Sequence, residues 1–316
     1  MIKTAILLPM HNEEKTIEGC IRDFQRHMPE AEIYVCNNCS SDRSVEIVKT
    51  LQESFANIHL LHEPAKGKGN AVRRLFREVD AECYIMADSD MTYPAAFAPV
   101  FEKKVLKDGR DMVTGDRLST SYHTENKRRF HGFGNKLVKG LVNRIFGAQL
   151  KDIMTGARGF SYEFVKTYPA LADGFEVETD MTVFALQNRF DIEEVEIEYK
   201  DRPAGSVSKL NTYSDGLCVL ARIVKLFKTA KPFAFFTLLA CILFAAALLL
   251  FGPVFLEFVE TGAVPRQPTL IISVALGICS ILTFFTGIIL EDASQARREQ
   301  IQQRRVFLRT VKGRAL

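Results

Sequence analysis

The sequence predicts an α/β fold, a mainly parallel sheet with helices on both faces, followed by a membrane module. Three observations predict it. Short apolar runs alternate with amphipathic helical patterns through the first part of the chain. Amide and acidic residues follow directly on the ends of two of those runs. Late in the chain, Phe233–Phe251 and Thr269–Leu290 contain no charged residue.

Taken in order, Ala5–Pro9 is a buried-strand candidate. It leads through His11-Asn12-Glu13-Glu14 into a helix whose apolar residues Ile17, Cys20, Ile21, Phe24 and Met28 share one stripe. Glu32–Cys36 reads as a second strand ending in Asn37-Asn38. Ser41 and Asp42 then cap a helix carrying Val45, Val48 and Leu51. Ile58–Leu61 is the third strand, and Lys66-Gly67-Lys68-Gly69 opens the next helix. Cys83–Ala87 is the fourth strand and runs into Asp88-Ser89-Asp90. Strands alternating with helices imply parallel pairing with both faces covered. In such sheets ligands gather beyond the carboxyl ends of the strands. Asn37-Asn38 and Asp88–Asp90 both fall there.

The two uncharged stretches each approach the ~20 residues an α-helix needs to cross a bilayer core. Arg222, Lys225, Lys228 and Lys231 precede the first, and Arg297, Arg298, Arg304, Arg305, Arg309, Lys312 and Arg314 follow the second. An excess of Lys and Arg marks the cytoplasmic side, so both ends are expected inside, joined by a short outer hairpin. Between Tyr213 and Lys231, Leu217, Leu220, Val224 and Phe227 fall at helical spacing with cations on other faces. That pattern fits a helix lying in the membrane interface. The expected division is a domain over 1–212, an amphipathic helix over 213–232, a two-span hairpin over 233–290 and a basic tail over 291–316. The apolar run at Ala5–Pro9 is too short for a signal-peptide core, which places the first domain in the cytoplasm.

Composition excludes more than it selects. A net charge of +3 with 25% charged residues carries no overall polyanion-binding signal, so no nucleic-acid partner is expected. Seven cysteines are scattered; Cys36 and Cys39 form a CxxC without a second pair at zinc-ligand spacing, which reads as reduced thiols. Lys66–Gly69 lacks the P-loop spacing and is read as a tight helix entry with a supporting charge. Asp88 and Asp90, one residue apart at a strand end, can hold a hard divalent cation, Mg²⁺ or Mn²⁺, against phosphate oxygens.

The ordered runs ILLPMHNEE, VCNNCSSD, ADSDMTYP and GDR resemble the family-2 glycosyltransferases of GT-A fold, which are Rossmann-like. The later runs KDIMTGARGF, GFEVETD and DRPAGSVSKL are similar to the branch that makes dolichyl- or undecaprenyl-phosphate sugars. The resemblance implies that Pro9, Asn12, Glu13 and Asn37 line the nucleotide site, with Asn37 standing where the family often has a base-binding Asp; Lys68, the supporting charge of the helix entry, is placed with them. It implies that Asp88 and Asp90 hold the metal and diphosphate, and that Asp152 and Glu178 lie near the reacting sugar. Thr92 stands where some relatives carry Gln as a further ligand. For the acceptor phosphate, Arg117 and Arg202 are the candidates, assisted by Ser206 and Lys209, because a guanidinium fork grips two phosphate oxygens. Arg158 reads either as a further phosphate grip or as a structural cation paired with Asp152. Lys127, Arg128 and Arg129 lie in the stretch Ser119–Gly134, read either as a solvated loop or as a lid over the acceptor.

The implied activity is inverting transfer of a hexose or N-acetylhexosamine from a nucleotide-sugar, UDP favoured, to a polyprenyl phosphate at the cytoplasmic face of a bilayer, with a bacterial cytoplasmic membrane expected. Packing of the spans between subunits would give a homo-oligomer. The alternative is a retired domain that binds nucleotide-sugar and regulates or scaffolds a membrane complex. Processive polysaccharide synthases resemble this domain but typically carry more spans and a QxxRW motif, which cannot be present because the chain has no Trp.

Overall fold

The computed structural model describes residues 1–119, 131–170, 177–200, 224 and 227–314. Arg202, Ser206, Lys209, Lys127, Arg128, Arg129 and most of the expected 213–232 helix lie outside these residues. The chain divides into one unit of Met1–Asp215 with Ile301–Leu316 and a second of Gly216–Gln300.

The first unit is built on a seven-stranded sheet of order β3-β2-β1-β4-β6-β5-β7. Its strands are β1 (Ile2–Met10), β2 (Glu32–Asn37), β3 (Ile58–His62), β4 (Ala81–Met86), β5 (Met112–Asp116), β6 (Arg158–Ser161) and β7 (Ile192–Glu196). Successive residues of β1 serve opposite faces, as a period of two requires. Ile6 and Leu8 enter one core with α1 (Ile17–His27), α2 (Ser44–Ser54) and α4 (Ala98–Leu106). Ala5 and Leu7 enter the other with α3 (Lys68–Glu78), α6 (Tyr162–Thr167) and α7 (Val177–Gln187). Ile6, Leu7 and Leu8 are fully buried. At about 1.5–3 kcal/mol for each such side chain, burial of β1 on both faces contributes several kcal/mol to the sheet's core.

Two features of the sheet position the site. Strand order reverses between β1 and β4, both parallel, which opens a crevice at their carboxyl ends. β6 then runs antiparallel to both neighbours, with Arg158 opposite Met86 and Thr114. The loop before β6 is thereby delivered to the same rim as the loops after β4 and β5. β7, parallel to β5, ends there too.

Beside α5 (His131–Phe146), the two longest described helices are α8 (Pro232–Thr261) and α9 (Gln267–Arg314). Both are long and apolar enough to cross a membrane; only 11% and 17% of their most apolar stretches is buried, unlike a helix in a soluble core. Within that unit Ser280 Oγ donates to Ala240 O (2.9 Å), and Gly287 sits against Phe236, so a polar bond and a small residue bring the two helices together. The stretch read as a tail is helical to Arg314. From Ile301 it packs on the first unit: Gln302 Nε2 donates to Asn188 O (2.5 Å), Arg305 Nη2 to Asp111 Oδ2 (2.7 Å), and the Arg305 guanidinium lies 3.9 Å from the Phe190 ring centre.

Candidate active site

Five segments converge on one rim: the loop after β4, the turn after β5, the loop before β6, and the amino ends of α3 and α7. Gly67, at φ +133°, caps α3 in a conformation that favours glycine, and Lys68 follows as the first helical residue. The Lys68 Nζ donates to Asp88 Oδ1 and to Glu178 Oε1, the latter at 2.5 Å. Burial opposes the ammonium, but the two carboxylates and their hydrogen bonds outweigh it and hold its pKa above the ordinary lysine value. Glu178 lies in the first turn of α7, where a carboxylate suits the helix dipole.

Asp90 is buried, and its Oδ1 accepts from the Thr92 N–H (3.1 Å) and hydroxyl (2.6 Å). Thr92 therefore steadies Asp90 from the position where some relatives carry a ligand. Met91 takes φ +60° between them, a strained conformation for a long side chain that turns the loop back at the rim. Ser89 Oγ donates to Pro9 O (3.0 Å), tying this loop to β1.

A second cluster lies after β5. Asp116 accepts from the Leu118 and Ser119 N–H groups and closes the turn that presents Arg117. Arg117 forms a fork on Asp152, Nε to Oδ2 at 2.6 Å and Nη2 to Oδ1 at 3.0 Å, while Nη1 donates to the Tyr93 hydroxyl at 3.1 Å. Its guanidinium also lies 5.5 Å from the Tyr199 ring centre. Asp152 is 4% exposed and sits in a loop whose Lys151 and Asp152 N–H groups donate to Glu194 (2.8 and 2.9 Å).

The pairing of Arg158 with Asp152 that the sequence offered is not what forms. Fully buried Arg158 instead donates to Thr155 O, Ile153 O and the Thr182 hydroxyl. Being the first residue of β6, it points under the loop and collects its carbonyls, and Arg117 takes Asp152. Burial lowers its pKa from the arginine value, with Glu178 and Asp152 opposing.

On the other side of the crevice, loops after β1 and β2 interlock. Asn12 Oδ1 accepts from Ser41 N (2.7 Å), Asn12 N donates to Ser40 Oγ (3.0 Å) and Glu13 N to Ser44 Oγ (2.8 Å). Asn37 Oδ1 accepts from Ser40 N (3.0 Å), and its amide meets His62 Nδ1 at 3.3 Å. Asn38 reaches the helix-entry loop, accepting from Gly67 N and donating to Ala65 O, each at 2.7 Å. Cys36 and Cys39 are free thiols; Cys36 is buried in β2, and Cys39 Sγ donates to the Glu63 and Pro64 carbonyls.

Two carboxylates with all-oxygen chemistry suit a cation that completes its shell with substrate phosphates. Among the described residues no three His, Cys, Asp or Glu side chains converge as a protein-only cage. Gly156 completes the fit. A Cβ there would come within 2.5 Å of Asp88 Oδ2, so only glycine leaves this carboxylate its place. Tyr93, Gly156, Glu194 and Tyr199 are rim residues to which motif reading gave no role, while Asn38, placed at the strand end, received no specific one. The Tyr in ADSDMTYP was the nearest signal.

Residues 5–168 match the family model described as glycosyl transferase family 2. The chain is 30% identical over 232 residues to glycosyltransferase AglJ of Haloferax volcanii, covering 73% of this chain and 74% of that one. It is 27% identical over 221 residues to the dolichyl-phosphate hexose transferase of the same organism, covering 70% and 92%. Among solved structures it resembles glucosyl-3-phosphoglycerate synthase from Mycobacterium tuberculosis in complex with Mn²⁺, UDP and phosphoglyceric acid. That likeness, at TM-score 0.56 and 18% identity over 72% of this chain and 78% of the other, establishes a shared GT-A fold.

Proposed function

The chain belongs to glycosyl transferase family 2, and on that premise we propose that it transfers a hexose or N-acetylhexosamine from a nucleotide-sugar to the phosphate of a polyprenyl lipid, with inversion. The donor is UDP-linked, and transfer occurs at the cytoplasmic face of a membrane. One observation carries the reading. A carboxylate pair, Asp88 and Asp90, stands on the same rim as an oriented guanidinium, Arg117, in a chain with two helices of membrane-spanning length. A relative named as a dolichyl-phosphate hexose transferase, 92% of which this chain covers, supports the acceptor class.

Arg117 is held by Asp152 and Tyr93 so that its fork is fixed before a ligand arrives, which saves the ordering cost of a long side chain. A phosphate monoester, with a second pKa near ~6, is largely dianionic at neutral pH. Such a nucleophile needs capture and alignment more than a general base. Lys68 holds its proton and brings positive charge beside Asp88, where a sugar diphosphate would lie. A divalent cation held by Asp88 and Asp90 would supply the charge that stabilises the leaving diphosphate. Asn37 and His62 lie at the ends of β2 and β3, where their amide and imidazole can meet a base. Arg202, Ser206 and Lys209 remain part of the proposed acceptor site by their place in DRPAGSVSKL.

Purified full-length protein, labelled nucleotide-sugars, undecaprenyl phosphate and Mn²⁺ or Mg²⁺ in detergent test the reading. A glycolipid is expected with one donor, its anomeric configuration opposite to the donor's, and chelator should stop its formation. No glycolipid with any donor would overturn the proposal; formation undiminished in excess chelator would remove the metal from it.

A further inference from the structure

Tyr93 lies three residues beyond Asp90, on the loop that carries the carboxylate pair, yet its hydroxyl serves two other segments. It accepts from Arg117 Nη1, after β5, at 3.1 Å and from Gly156 N, before β6, at 2.9 Å. The residue is 4% exposed, and its ring meets Tyr199 edge-on at 5.6 Å, the same Tyr199 that lies against the Arg117 guanidinium. Both oxygen lone pairs are thus engaged by N–H donors. Among the described residues the hydroxyl donates to none. Burial, opposed by Arg117, pushes the phenol well above its ordinary value, so it stays a neutral acceptor at working pH.

Asp152 alone grips Arg117 through Nε and Nη2, a two-point contact about which the guanidinium can tilt. The Nη1 bond to Tyr93 is a third point and fixes the plane. Because that point belongs to the Asp88–Asp90 loop, the cation for the acceptor is set in register with the carboxylates for the donor. Resting on the acceptor role given to Arg117 above, we propose that Tyr93 is a positioning residue whose hydroxyl orients Arg117 for the acceptor phosphate and ties it to the donor-side loop.

Tyr93→Phe tests this in the full chain, since Phe keeps the ring contacts and removes only the acceptor oxygen. Equilibrium binding of a short-chain prenyl phosphate is measured with Mn²⁺-nucleotide present, alongside nucleotide binding and the KM–kcat split. Loss of a hydrogen bond to a charged group predicts prenyl-phosphate affinity and acceptor KM worse by about tenfold, with nucleotide affinity within about twofold. In an Arg117→Lys background, where the fork is gone, Tyr93→Phe should change acceptor binding by less than about twofold. Unchanged acceptor affinity, an equal loss of nucleotide affinity, or full additivity with Arg117→Lys would overturn the proposal. Wild-type protein that binds the prenyl phosphate but transfers no sugar refutes the transfer reading alone, and the binding ratio still decides the role of Tyr93. Wild-type protein that binds no prenyl phosphate refutes both.

Discussion

Replacing Gly156 by Ala adds one methyl group at the point where the loop before β6 meets Asp88. An ideal Cβ would stand 2.5 Å from Oδ2, 2.9 Å from Cγ and 3.0 Å from Oδ1, whereas ordinary contact begins at 3.4 Å. The carboxylate must therefore retreat by about 0.9 Å. Turning a side chain about 30° off its rotamer costs roughly 0.5–1.5 kcal/mol. In a protein of this size that lowers Tm by only a few degrees, about 2–4 °C per kcal/mol. The effect on chemistry is much larger, because a misplacement of about 1 Å can cost on the order of 10²-fold in rate. Gly156→Ala should thus fold, bind Mn²⁺-nucleotide weakly and lose about 10²-fold in kcat/KM. Gly140→Ala, exposed in α5 with nothing within 4 Å of the new carbon, is the control. It should keep full activity and gain roughly 0.5–1 kcal/mol of stability. Thermal unfolding, metal-nucleotide titration and glycolipid formation read the two variants side by side. A fully active Gly156→Ala protein would refute the argument that Asp88 depends on that glycine.

Two further outcomes follow from charge pairs. Arg305→Ala should destabilise the first unit by about 1.5–3 kcal/mol, since it takes from the buried Asp111 carboxylate its 2.7 Å partner and leaves it the Asp191 N–H at 2.9 Å and the more distant Arg309 at 3.7 Å. Denaturant unfolding measures this, and Asp111→Asn in the same background should recover part of the loss. Lys68 has its pKa raised by Asp88 and Glu178 against burial, so its ion pairs contribute fully below the unfolded lysine value of ~10.4. That contribution is lost only as pH rises through the folded value. The stability gap between wild type and Lys68→Met should therefore stay flat across neutral pH and narrow only in strong alkali, as thermal scans at graded pH would record.

The parallel half of the sheet was legible because β1 and β4, covered on both faces, are apolar over most of their length, and β2 and β3 keep short apolar runs between helical patterns. Ala5–Pro9, Glu32–Cys36, Ile58–Leu61 and Cys83–Ala87 differ from β1 to β4 only at their ends. β5, β6 and β7 carried no such signal. β6 has four residues, and β7 reads Ile-Glu-Glu-Val-Glu because its glutamates pair with Lys104, Arg110 and the Lys151–Asp152 backbone. The Arg117–Asp152 fork joins residues 35 apart through an antiparallel strand, so spacing could not predict it. Arg158 was ambiguous for the same reason, its partners being carbonyls of a loop whose path β6 decides. The docked end of α9 did leave a trace. Ile301, Arg305 and Arg309 recur at i, i+4 and i+8, but the cationic count that marks membrane sidedness hid a helical face.

Lys68 also sets a contrast that separates metal binding from nucleotide binding. Its ammonium rests on Asp88 Oδ1, the oxygen type that a divalent cation would claim, so lysine and bare metal compete for one carboxylate. Glu178 gives the ammonium a second anchor at 2.5 Å, which keeps it in the site if Asp88 is taken. Lys68→Met removes the competitor, and bare Mn²⁺ should bind more tightly. The same change removes a cation from beside the diphosphate, and Mn²⁺-nucleotide should bind less tightly. Opposite shifts are what this arrangement demands, each on the order of 1–2 kcal/mol for a charged hydrogen-bond partner. Calorimetric titration of metal alone and of metal with UDP reads them without turnover. Shifts in the same direction would mean that Lys68 merely braces the rim, leaving the diphosphate charge to be met from elsewhere.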